Sequence, residues 1–264
     1  MSSEVETSLD ISGLRNSKRF LHFGRNDKEE STTRRLFVSL DVHEDIASRS
    51  ASLNMAVDEA LLEMATSPTI RFYRWDHPAL SFGYFGRYAD AADETRDIVR
   101  RWTGGGIVFH GNDLTYSIVI PATDSAFGES SMSIYEKVHG AICGTLVAYG
   151  QAAELATVVA LYERRTNNAA ITDRRYSKCF ANPVRSDVLI NDRKVAGAAQ
   201  RRTRHGLLQQ GSIQGVDISN GFTCELPREL SIESHKRQID NVILKRASEI
   251  AEQKYATSAW LRRR

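Results

Sequence analysis

The chain has 264 residues, 41% of them hydrophobic, so it can bury a large core and fits one generous domain. Its 35 basic and 33 acidic residues leave a formal charge of +2, without the basic excess of a dedicated nucleic-acid binder. The three cysteines lack both zinc-site spacing and the density of a secreted disulfide framework, so we expect reduced thiols. The nearly balanced charge predicts no nucleic-acid partner.

The first 34 residues are polar and show no apolar periodicity, which predicts a flexible N-terminal extension ahead of a domain over residues 35–264. They lack the charged start and apolar middle of a signal peptide, and their acidic residues argue against a transit peptide. No stretch reaches the roughly 18 consecutive apolar residues of a membrane span. We expect a cytoplasmic protein with no membrane association.

The first predicted elements are a strand at Leu36–Leu40 and a helix that follows it. The apolar face of this helix comprises Leu53, Ala56, Val57, Ala60, Leu61 and Met64. Short apolar or aromatic runs bounded by Gly or Pro then predict strands at Ile70–Trp75, Leu80–Phe85, Ile98–Arg101, Ile107–His110 and Thr115–Ile120.

The second half mixes helices and strands. A capping box at Ser133–Glu136 predicts the start of a helix that runs to Gly150. Val188–Ile190 and Lys194–Ala196 flank an Asn-Asp turn and predict a hairpin, and Leu207–Ile213 predicts another strand. After Gln214 we expect helical or irregular structure, with a helix around Ile239–Ile250. The pattern predicts an α/β fold with a sheet between helices.

A glycine-rich loop, Thr103-Gly104-Gly105-Gly106, lies between two predicted strands and follows Arg100 and Arg101. Bare backbone amides in such a loop can approach a carbonyl or a phosphate. Three adjacent glycines alone more often form a flexible turn. The loop lacks the Walker Lys-Ser/Thr ending and GxGxxG spacing, which disfavours ordinary nucleotide-binding folds.

The surrounding residues resemble a known family. The segment Val99–Ser117 is similar to the RRxTGGG-V-H…LTYS signature of the biotin/lipoate protein ligase and octanoyltransferase family. Lys178-Cys179-Phe180 with Arg193–Arg201 resembles the family's CF…grKvaGsAQ-R run, and Asn54–Leu61 with Phe72–Trp75 resembles its opening helix and strand. Together these motifs cover roughly residues 35–214 in the family's order.

The resemblance implies one catalytic domain of the α/β (α+β) class, with a mixed, largely antiparallel sheet flanked by helices. It also implies an acyl pocket closed by the glycine loop. Lys194 would contact the acyl carbonyl, where a fixed cation can stabilise a developing oxyanion. The implied substrate-binding residues are Arg101, Thr103, Gly104, Gly105, Gly106, His110, Gly197 and Ala198. Taken alone, Lys194 would be a solvated turn residue and His110 an ordinary loop histidine.

Cys179 distinguishes two branches of this family. The resemblance implies that octanoyltransferases use a cysteine here, whereas the ATP-dependent ligases generally do without one. A thiol accepts an acyl group from a thioester at nearly equal energy and stays reactive toward an amine. Basic neighbours such as Lys178 would favour the thiolate. Without the motif, Cys179 would be an inert thiol, as we expect of Cys143 and Cys224.

Three positions depart from the family pattern. Gly86 stands where the family often has Gln, Gln210 stands where a His often precedes Gly-Ser, and Asp187 resembles the ligase branch. Arg100 and Arg101 would steer an anionic donor or neutralise an adenylate phosphate, although exposed arginines commonly only solvate a surface. The basic segment from Arg164 to Lys178 has the same two interpretations.

The leading hypothesis is an acyltransferase that moves an octanoyl or lipoyl group from acyl carrier protein, or another acyl thioester, through a Cys179 acyl-enzyme. The implied acceptor is a lipoyl-domain lysine, of glycine cleavage H protein or a 2-oxoacid dehydrogenase E2. This chemistry needs no cofactor and no metal, and we expect a monomer. The alternative is a lipoate or biotin ligase that uses ATP and Mg²⁺ to form an acyl-adenylate. The third hypothesis is a catalytically silent acyl- or carrier-binding module.

Overall fold

The computed structural model describes residues 35–91, 95–158, 182–218 and 221–263. Within them, the larger sheet has eight strands in the order β11-β1-β2-β6-β10-β9-β8-β7. Their bounds are β1 Phe37–Arg49, β2 Thr69–Trp75, β6 Leu114–Pro121, β7 Ala153–Leu155, β8 Val188–Ile190, β9 Arg193–Arg202, β10 Gly206–Ile213 and β11 Ser231–Arg237. Three further strands form a separate sheet in the order β4-β3-β5, with β3 Ala79–Phe82, β4 Asp97–Arg100 and β5 Val108–His110.

Strand directions confirm the expected mixed, largely antiparallel sheet. β1 pairs in parallel with both β11 and β2, and the other neighbours in the larger sheet are antiparallel. The antiparallel register places Gly211 of β10 between Tyr116 of β6 and Ala198 of β9. The strands that carry Lys194 and Gln210 are therefore direct neighbours in the middle of the sheet.

The helices cover this sheet and contribute to two buried apolar clusters. Their bounds are α1 Ala51–Met64, α2 Tyr88–Ala91, α3 Ser131–Ala148, α4 Phe222–Leu230, α5 Asn241–Ile250 and α6 Ser258–Leu261, with a π-helical turn at Ala251–Tyr255 after α5. One cluster joins α3 and α4 to the sheet, and the other joins α1, α5 and the π-helical turn to it. Among the residues described, no helix has the length and apolar character needed to cross a bilayer.

Helix α1 differs from the predicted one-sided amphipathic helix. Asn54, Asp58 and Glu59 are buried as deeply as its apolar residues, while Met64 is 38% exposed. The helix lies between the sheet and α5, so both sides are covered, and its buried polar groups need partners. Asp58 accepts hydrogen bonds from Arg71, Tyr73, Ser117 and Gln210.

Several predicted elements differ from the structure. The strand expected to end at Leu40 continues to Arg49, and the strand expected to end at Phe85 ends at Phe82. Helix α3 begins at Ser131, because the Ser130 hydroxyl accepts the amide hydrogen of Ser133 at 3.1 Å and so caps the helix. The region after Gln214 also contains β11, which was not predicted because six of its seven residues are exposed and no apolar alternation marks it. Backbone pairing with β1 at the sheet edge defines this strand.

The predicted hairpin is confirmed. β8 and β9 pair antiparallel across Asn191 and Asp192, whose φ angles of 48° and 62° are left-handed. Two consecutive positive φ angles produce a tight turn that matches strand twist, and Asn and Asp tolerate them well. The turn fixes where β9 begins and hence where Lys194 lies.

Candidate active site

A half-enclosed pocket lies between the two sheets, with about 440 Å³ of open space counting its mouth. Strands β9 and β10 form one wall, and β3, β5 and Arg101 form the other. Its described lining residues are Met55, Tyr73, Trp75, Ser81, Arg101, Val108, His110, Thr115, Lys194, Gly197, Ala198, Ala199, Gln210, Gly211 and Ser212. The pocket therefore combines apolar and aromatic surface with one lysine, one arginine and one histidine, a composition typical of a small-molecule site.

Lys194 is held in a buried ion pair at the wall of this pocket. Its Nζ lies 2.8 Å from Oδ2 of Asp187, and the two side chains are 5% and 0% exposed. Asp187 also accepts the Tyr135 hydroxyl hydrogen at 2.6 Å and the Val184 amide hydrogen at 2.6 Å. Burial, and then the negative charge of Asp187, raises the pKa of Tyr135 above its ordinary value, so Tyr135 remains a proton donor. The ammonium position is thus fixed by several contacts.

Tyr135 also connects this ion pair to strand β9. Its hydroxyl oxygen accepts the amide hydrogen of Ala198 at 3.2 Å, beyond the point where β8 stops pairing with β9. His139, one helical turn along α3, packs edge-on against the Tyr135 ring and donates from Nδ1 to the Ser186 carbonyl at 2.7 Å. Burial lowers the pKa of His139 to about 4, so it stays neutral. Helix α3 therefore positions both Asp187 and β9.

Gly197 leaves open the space that the end of the Lys194 side chain occupies. A Cβ at this position would lie 2.2 Å from Lys194 Cε and 2.5 Å from Nζ. A substituted side chain and the lysine side chain cannot occupy this space together. Gly197 therefore makes room for the folded-back lysine side chain beside Asp187.

We expect Gly197→Ala to lower the free energy of unfolding by about 2 kcal/mol, because the new methyl group displaces Lys194 from its buried partner. The control is Gly144→Ala on α3, where a Cβ meets nothing within 4 Å. Removing a helical glycine should leave stability unchanged or raise it by about 0.5–1 kcal/mol. Urea unfolding of both variants measures the difference, and equal effects would show that Gly197 is not sterically required.

The glycine loop, Thr103–Gly106, is held from two sides. Arg101 donates from Nη2 to the carbonyl oxygens of Gly104 and Gly106, at 3.1 and 2.8 Å. From the other side, a Cβ on Gly83 would lie only 2.1 Å from the Gly105 oxygen, so the backbones approach as closely as glycine allows. Gly105 has a φ of 86°, a left-handed conformation that glycine adopts without strain. The loop is thus a packed structure.

Arg100 is buried and its guanidinium contacts backbone carbonyl groups. It is 1% exposed and donates to the carbonyls of Tyr84, Gly86, Trp260, Leu261 and Arg263 at 2.7 to 3.3 Å. Trp260 in turn donates from Nε1 to the Arg100 carbonyl at 3.0 Å. This burial contradicts the predicted steering of an anionic donor by Arg100. Its contacts instead join the C-terminal helix α6 to the base of the glycine loop.

His110 is buried and bonded through both ring nitrogens. Nδ1 lies 2.8 Å from Oδ2 of Asp113, Nε2 lies 2.6 Å from Oγ of Ser81, and the ring stacks on Trp75 at 4.1 Å. Burial lowers the pKa of His110, although Asp113 opposes this shift. Burial alone would raise the pKa of Asp113, but hydrogen bonds from His110, Ser212 and the Gly111 amide lower it to about 2. The pair is therefore a neutral imidazole beside a carboxylate.

The contacts of Gln210 show how a glutamine is accommodated where the family pattern often has a histidine. Its Oε1 accepts the Thr103 hydroxyl hydrogen at 2.8 Å, and its Nε2 donates to Oδ2 of Asp58 at 2.7 Å. Asp58 is also held by Arg71, at 2.8 Å, in a pair that is entirely buried. A neutral amide can accept on one side and donate on the other. Gln210 therefore ties the glycine loop to α1.

The structure brings part of the predicted site together. Lys194, Arg101, His110, Gly197 and Ala198 line the pocket, whereas the described lining does not include Thr103 or Gly104–Gly106. The glycine loop instead contacts the lining residues Arg101 and Gln210. Cys179, with Lys178 and the basic segment from Arg164, lies outside the described residues. The role of Cys179 as the nucleophile therefore stays a prediction.

Sequence reasoning missed four groups that support the site: Ser81, Asp113, Tyr135 and the Asp187–Lys194 pairing. Ser81 and Tyr135 lie within ordinary strand and helix patterns, so nothing local marked them. Asp113 follows His110 by three residues at the end of a strand, a spacing that could have indicated a His–carboxylate pair. The described residues also place Asp76, His77 and Asp97 within 4.8 Å of one another, but all three are exposed and we assign them no metal.

Several curated proteins that are similar in sequence are named octanoyltransferase LipM. An octanoyltransferase LipM from Brevibacillus brevis is 32% identical over 202 residues, covering 73% of this chain and 71% of its own. An octanoyltransferase LipM from Halalkalibacterium halodurans is 35% identical over 210 residues, covering 75% and 74%. Four other proteins named octanoyltransferase LipM match this chain over 61–66% of their own length.

Solved structures show the same fold at lower identity. A lipoate-protein ligase A bound with ATP has a TM-score of 0.66 at 20% identity, covering 85% of this chain and 98% of its own. A bipartite lipoate protein ligase from Thermoplasma acidophilum, described with its E2 lipoyl domain, has a TM-score of 0.62 at 19% identity, covering 85% and 96%. In sequence, residues 50–220 match the family model of the lipoyl protein ligase A/B catalytic domain. This range includes the described pocket-lining residues. The chain therefore belongs to the lipoyl protein ligase A/B catalytic domain family.

Proposed function

We propose that this chain is an acyltransferase that moves an octanoyl group from a thioester donor to a lysine of a lipoyl domain. The observation that carries the proposal is the buried Lys194 ammonium at the wall of a partly apolar pocket. The relatives described as octanoyltransferases support the same reaction. Residues 35–264 form the catalytic domain in this proposal, and residues 1–34 form the extension.

The reaction has two acyl transfers. The Cys179 thiolate attacks the carbonyl carbon of the donor thioester, the carbon–sulfur bond to the donor breaks, and the donor leaves as a thiol after taking up a proton. The ε-amine of the acceptor lysine then attacks the Cys179 thioester. An amide forms, the Cys179 sulfur leaves as thiolate, and the amine gives up its proton. Both steps pass through a tetrahedral intermediate with negative charge on oxygen.

Lys194 stabilises that oxyanion in both steps. Its ammonium is already fixed by Asp187, so little reorganisation is needed when negative charge develops nearby. The partial burial of the pocket strengthens this interaction by excluding water. Ala198 and Gly197 provide adjacent backbone with no large side chain to obstruct the acyl carbonyl, and the methylene chain packs against Met55, Trp75 and Val108.

The partners follow from this chemistry. The donor is acyl carrier protein or another acyl thioester, and the acceptor is a lipoyl domain such as H protein or a 2-oxoacid dehydrogenase E2. The archaeal ligase described with its E2 lipoyl domain supports this choice of acceptor. Thioester exchange supplies the activated acyl group, so the reaction requires no ATP or Mg²⁺. The proposal places a monomeric enzyme in the cytoplasm.

ATP dependence separates this function from the ligase alternative. Octanoyl transfer from octanoyl-acyl carrier protein to apo-lipoyl domain should proceed without ATP and with EDTA present. Neither octanoate nor lipoate should stimulate exchange of pyrophosphate into ATP. Acyl-dependent exchange, with no transfer from the thioester, would establish the ligase and contradict the proposal. Donor binding without turnover in either assay would favour the silent module.

A further inference from the structure

A continuous chain of hydrogen bonds connects the large sheet to the glycine loop. A guanidinium can only donate, and Nη1 of Arg101 lies 2.6 Å from Oγ of Ser81, so that oxygen accepts. The Ser81 proton is then available for Nε2 of His110 at 2.6 Å. Asp113 is an ionised carboxylate and can only accept, so Nδ1 of His110 carries the proton of the neutral ring and Nε2 accepts from Ser81. The guanidinium at one end, which only donates, and the carboxylate at the other, which only accepts, together fix the direction of each hydrogen bond.

Asp113 anchors this chain in the large sheet. Besides His110, its Oδ2 accepts hydroxyl hydrogens from Thr115 of β6 at 2.8 Å and Ser212 of β10 at 2.7 Å. The Gly111 amide donates to Oδ1 at 3.1 Å. The carboxylate is thus fixed by groups on two strands, and it orients His110 on β5. At the other end of this series of hydrogen bonds, Arg101 donates to the carbonyl oxygens of Gly104 and Gly106.

The four residues of this series of hydrogen bonds are buried, so the loss of one bond is costly. Ser81, Arg101, His110 and Asp113 are 0%, 6%, 5% and 3% exposed, so a group that loses its partner is not readily satisfied by water. The low pKa of Asp113 and the lowered pKa of His110 agree with the directions of donation. Removing one link therefore changes the position of the next group as well as its energy.

The order Ser, His, Asp is also that of a hydrolase triad, but the surroundings differ. Arg101 occupies one lone pair of the Ser81 oxygen, and the serine is completely buried. A nucleophilic serine needs its oxygen directed at the acyl carbonyl. The arrangement instead conveys position from Asp113 to the loop.

We propose that Ser81 and His110 are positioning residues that set the conformation of the glycine loop through Arg101. This inference rests on the proposed acyl transfer for its catalytic consequence, because the loop borders the pocket in which the oxyanion forms. A displaced loop would misplace the acyl group, and a displacement near 1 Å can cost on the order of 100-fold in rate. Ser81, Arg101, His110 and Asp113 are too deeply buried to contact a carrier protein directly, so we expect the KM for the donor to change little.

The test compares four variants. Ser81→Ala removes the oxygen that Arg101 contacts. His110→Asn keeps a donor near the Nδ1 position but loses the acceptor at Nε2, whereas His110→Gln can place an amide oxygen near Nε2. The matched control is Gln200→Met, because Gln200 donates to Gln209 at 2.7 Å and contacts none of the four residues in this series of hydrogen bonds.

Hydrogen–deuterium exchange of the peptide containing Thr103–Gly106 gives the first readout and needs no activity. We expect exchange at least about fivefold faster in Ser81→Ala and His110→Asn, a smaller change in His110→Gln, and none in Gln200→Met. The kcat for transfer should fall about 10- to 100-fold in the first two, with KM for the donor within about threefold of wild type. If Ser81→Ala does not fold, the comparison of His110→Asn with His110→Gln decides.

Unchanged loop exchange in Ser81→Ala and His110→Asn would overturn the inference, as would equal effects in Gln200→Met. Loss of these variants' ability to hydrolyse acyl thioester without an acceptor, with transfer intact, would instead identify Ser81 as a nucleophile. Inactivity of the wild type, with the expected loop exchange, would leave the positioning role in place and refute the proposed function alone.

Discussion

Cys179→Ala should lower octanoyl transfer by at least about 1,000-fold, because the variant has no group that can accept the acyl chain from the donor. Lys194 and the pocket remain in the variant, so the donor should still bind with nearly unchanged KM. A radiolabelled or mass-spectrometric assay of octanoylated lipoyl domain measures the rate. A loss of this size with retained donor binding would assign Cys179 to the chemical step.

The other two cysteines provide matched controls. Cys143 and Cys224 are half-buried free thiols, and Cys224 contacts Glu44 with its Sγ 3.7 Å from Oε1. Burial, followed by the charge of Glu154, raises the pKa of Cys143, which makes it a poor nucleophile. Cys143→Ala and Cys224→Ala should retain transfer. Activity of Cys179→Ala comparable to these controls would refute the acyl-enzyme.

Lys194→Met should lower kcat/KM by about 100- to 1,000-fold, the usual cost of removing one donor to a developing oxyanion. It should also lower the free energy of unfolding by about 3 kcal/mol, because Asp187 is left as an unpaired buried charge. Steady-state transfer kinetics and urea unfolding measure the two effects separately. The assay temperature should be low enough that the variant remains folded.

A double variant separates stability from catalysis. Lys194→Met combined with Asp187→Asn removes both charges, so we expect it to recover part of the lost stability. Activity should not recover, because the double variant still lacks the ammonium. Recovery of transfer together with stability would show that Lys194 only supports the fold. Lys194→Arg is a weaker control, since a planar guanidinium fork does not reproduce the compact ammonium of lysine.

Much of the architecture could be predicted because it depends on local patterns. Apolar runs bounded by Gly and Pro located β2, β3 and β6, and the Asn191-Asp192 turn located the hairpin that carries Lys194. Helix α1 was located correctly but its environment was not, since burial on both sides depends on α5, nearly 200 residues away. The strand β11 was missed because only its pairing with β1 makes it a strand.

The site was predictable in its residues more than in their contacts. The family motifs indicated Lys194, Arg101 and His110, and all three line the pocket. The motifs could not show that Arg101 holds the loop carbonyls or that Asp187 holds Lys194, because these contacts depend on three-dimensional proximity. Arg100 shows the difference most clearly, since its charge predicted a surface role and its surroundings made it a buried link to α6.

The central claim is that the acyl group passes through a thioester on Cys179. Intact-mass measurement after incubation with octanoyl-acyl carrier protein, without acceptor, tests it most directly. We predict one octanoyl adduct per chain, released by hydroxylamine and absent from Cys179→Ala. An adduct of the same size on Cys179→Ala, or undiminished transfer to the lipoyl domain with no adduct on the wild type, would contradict the account.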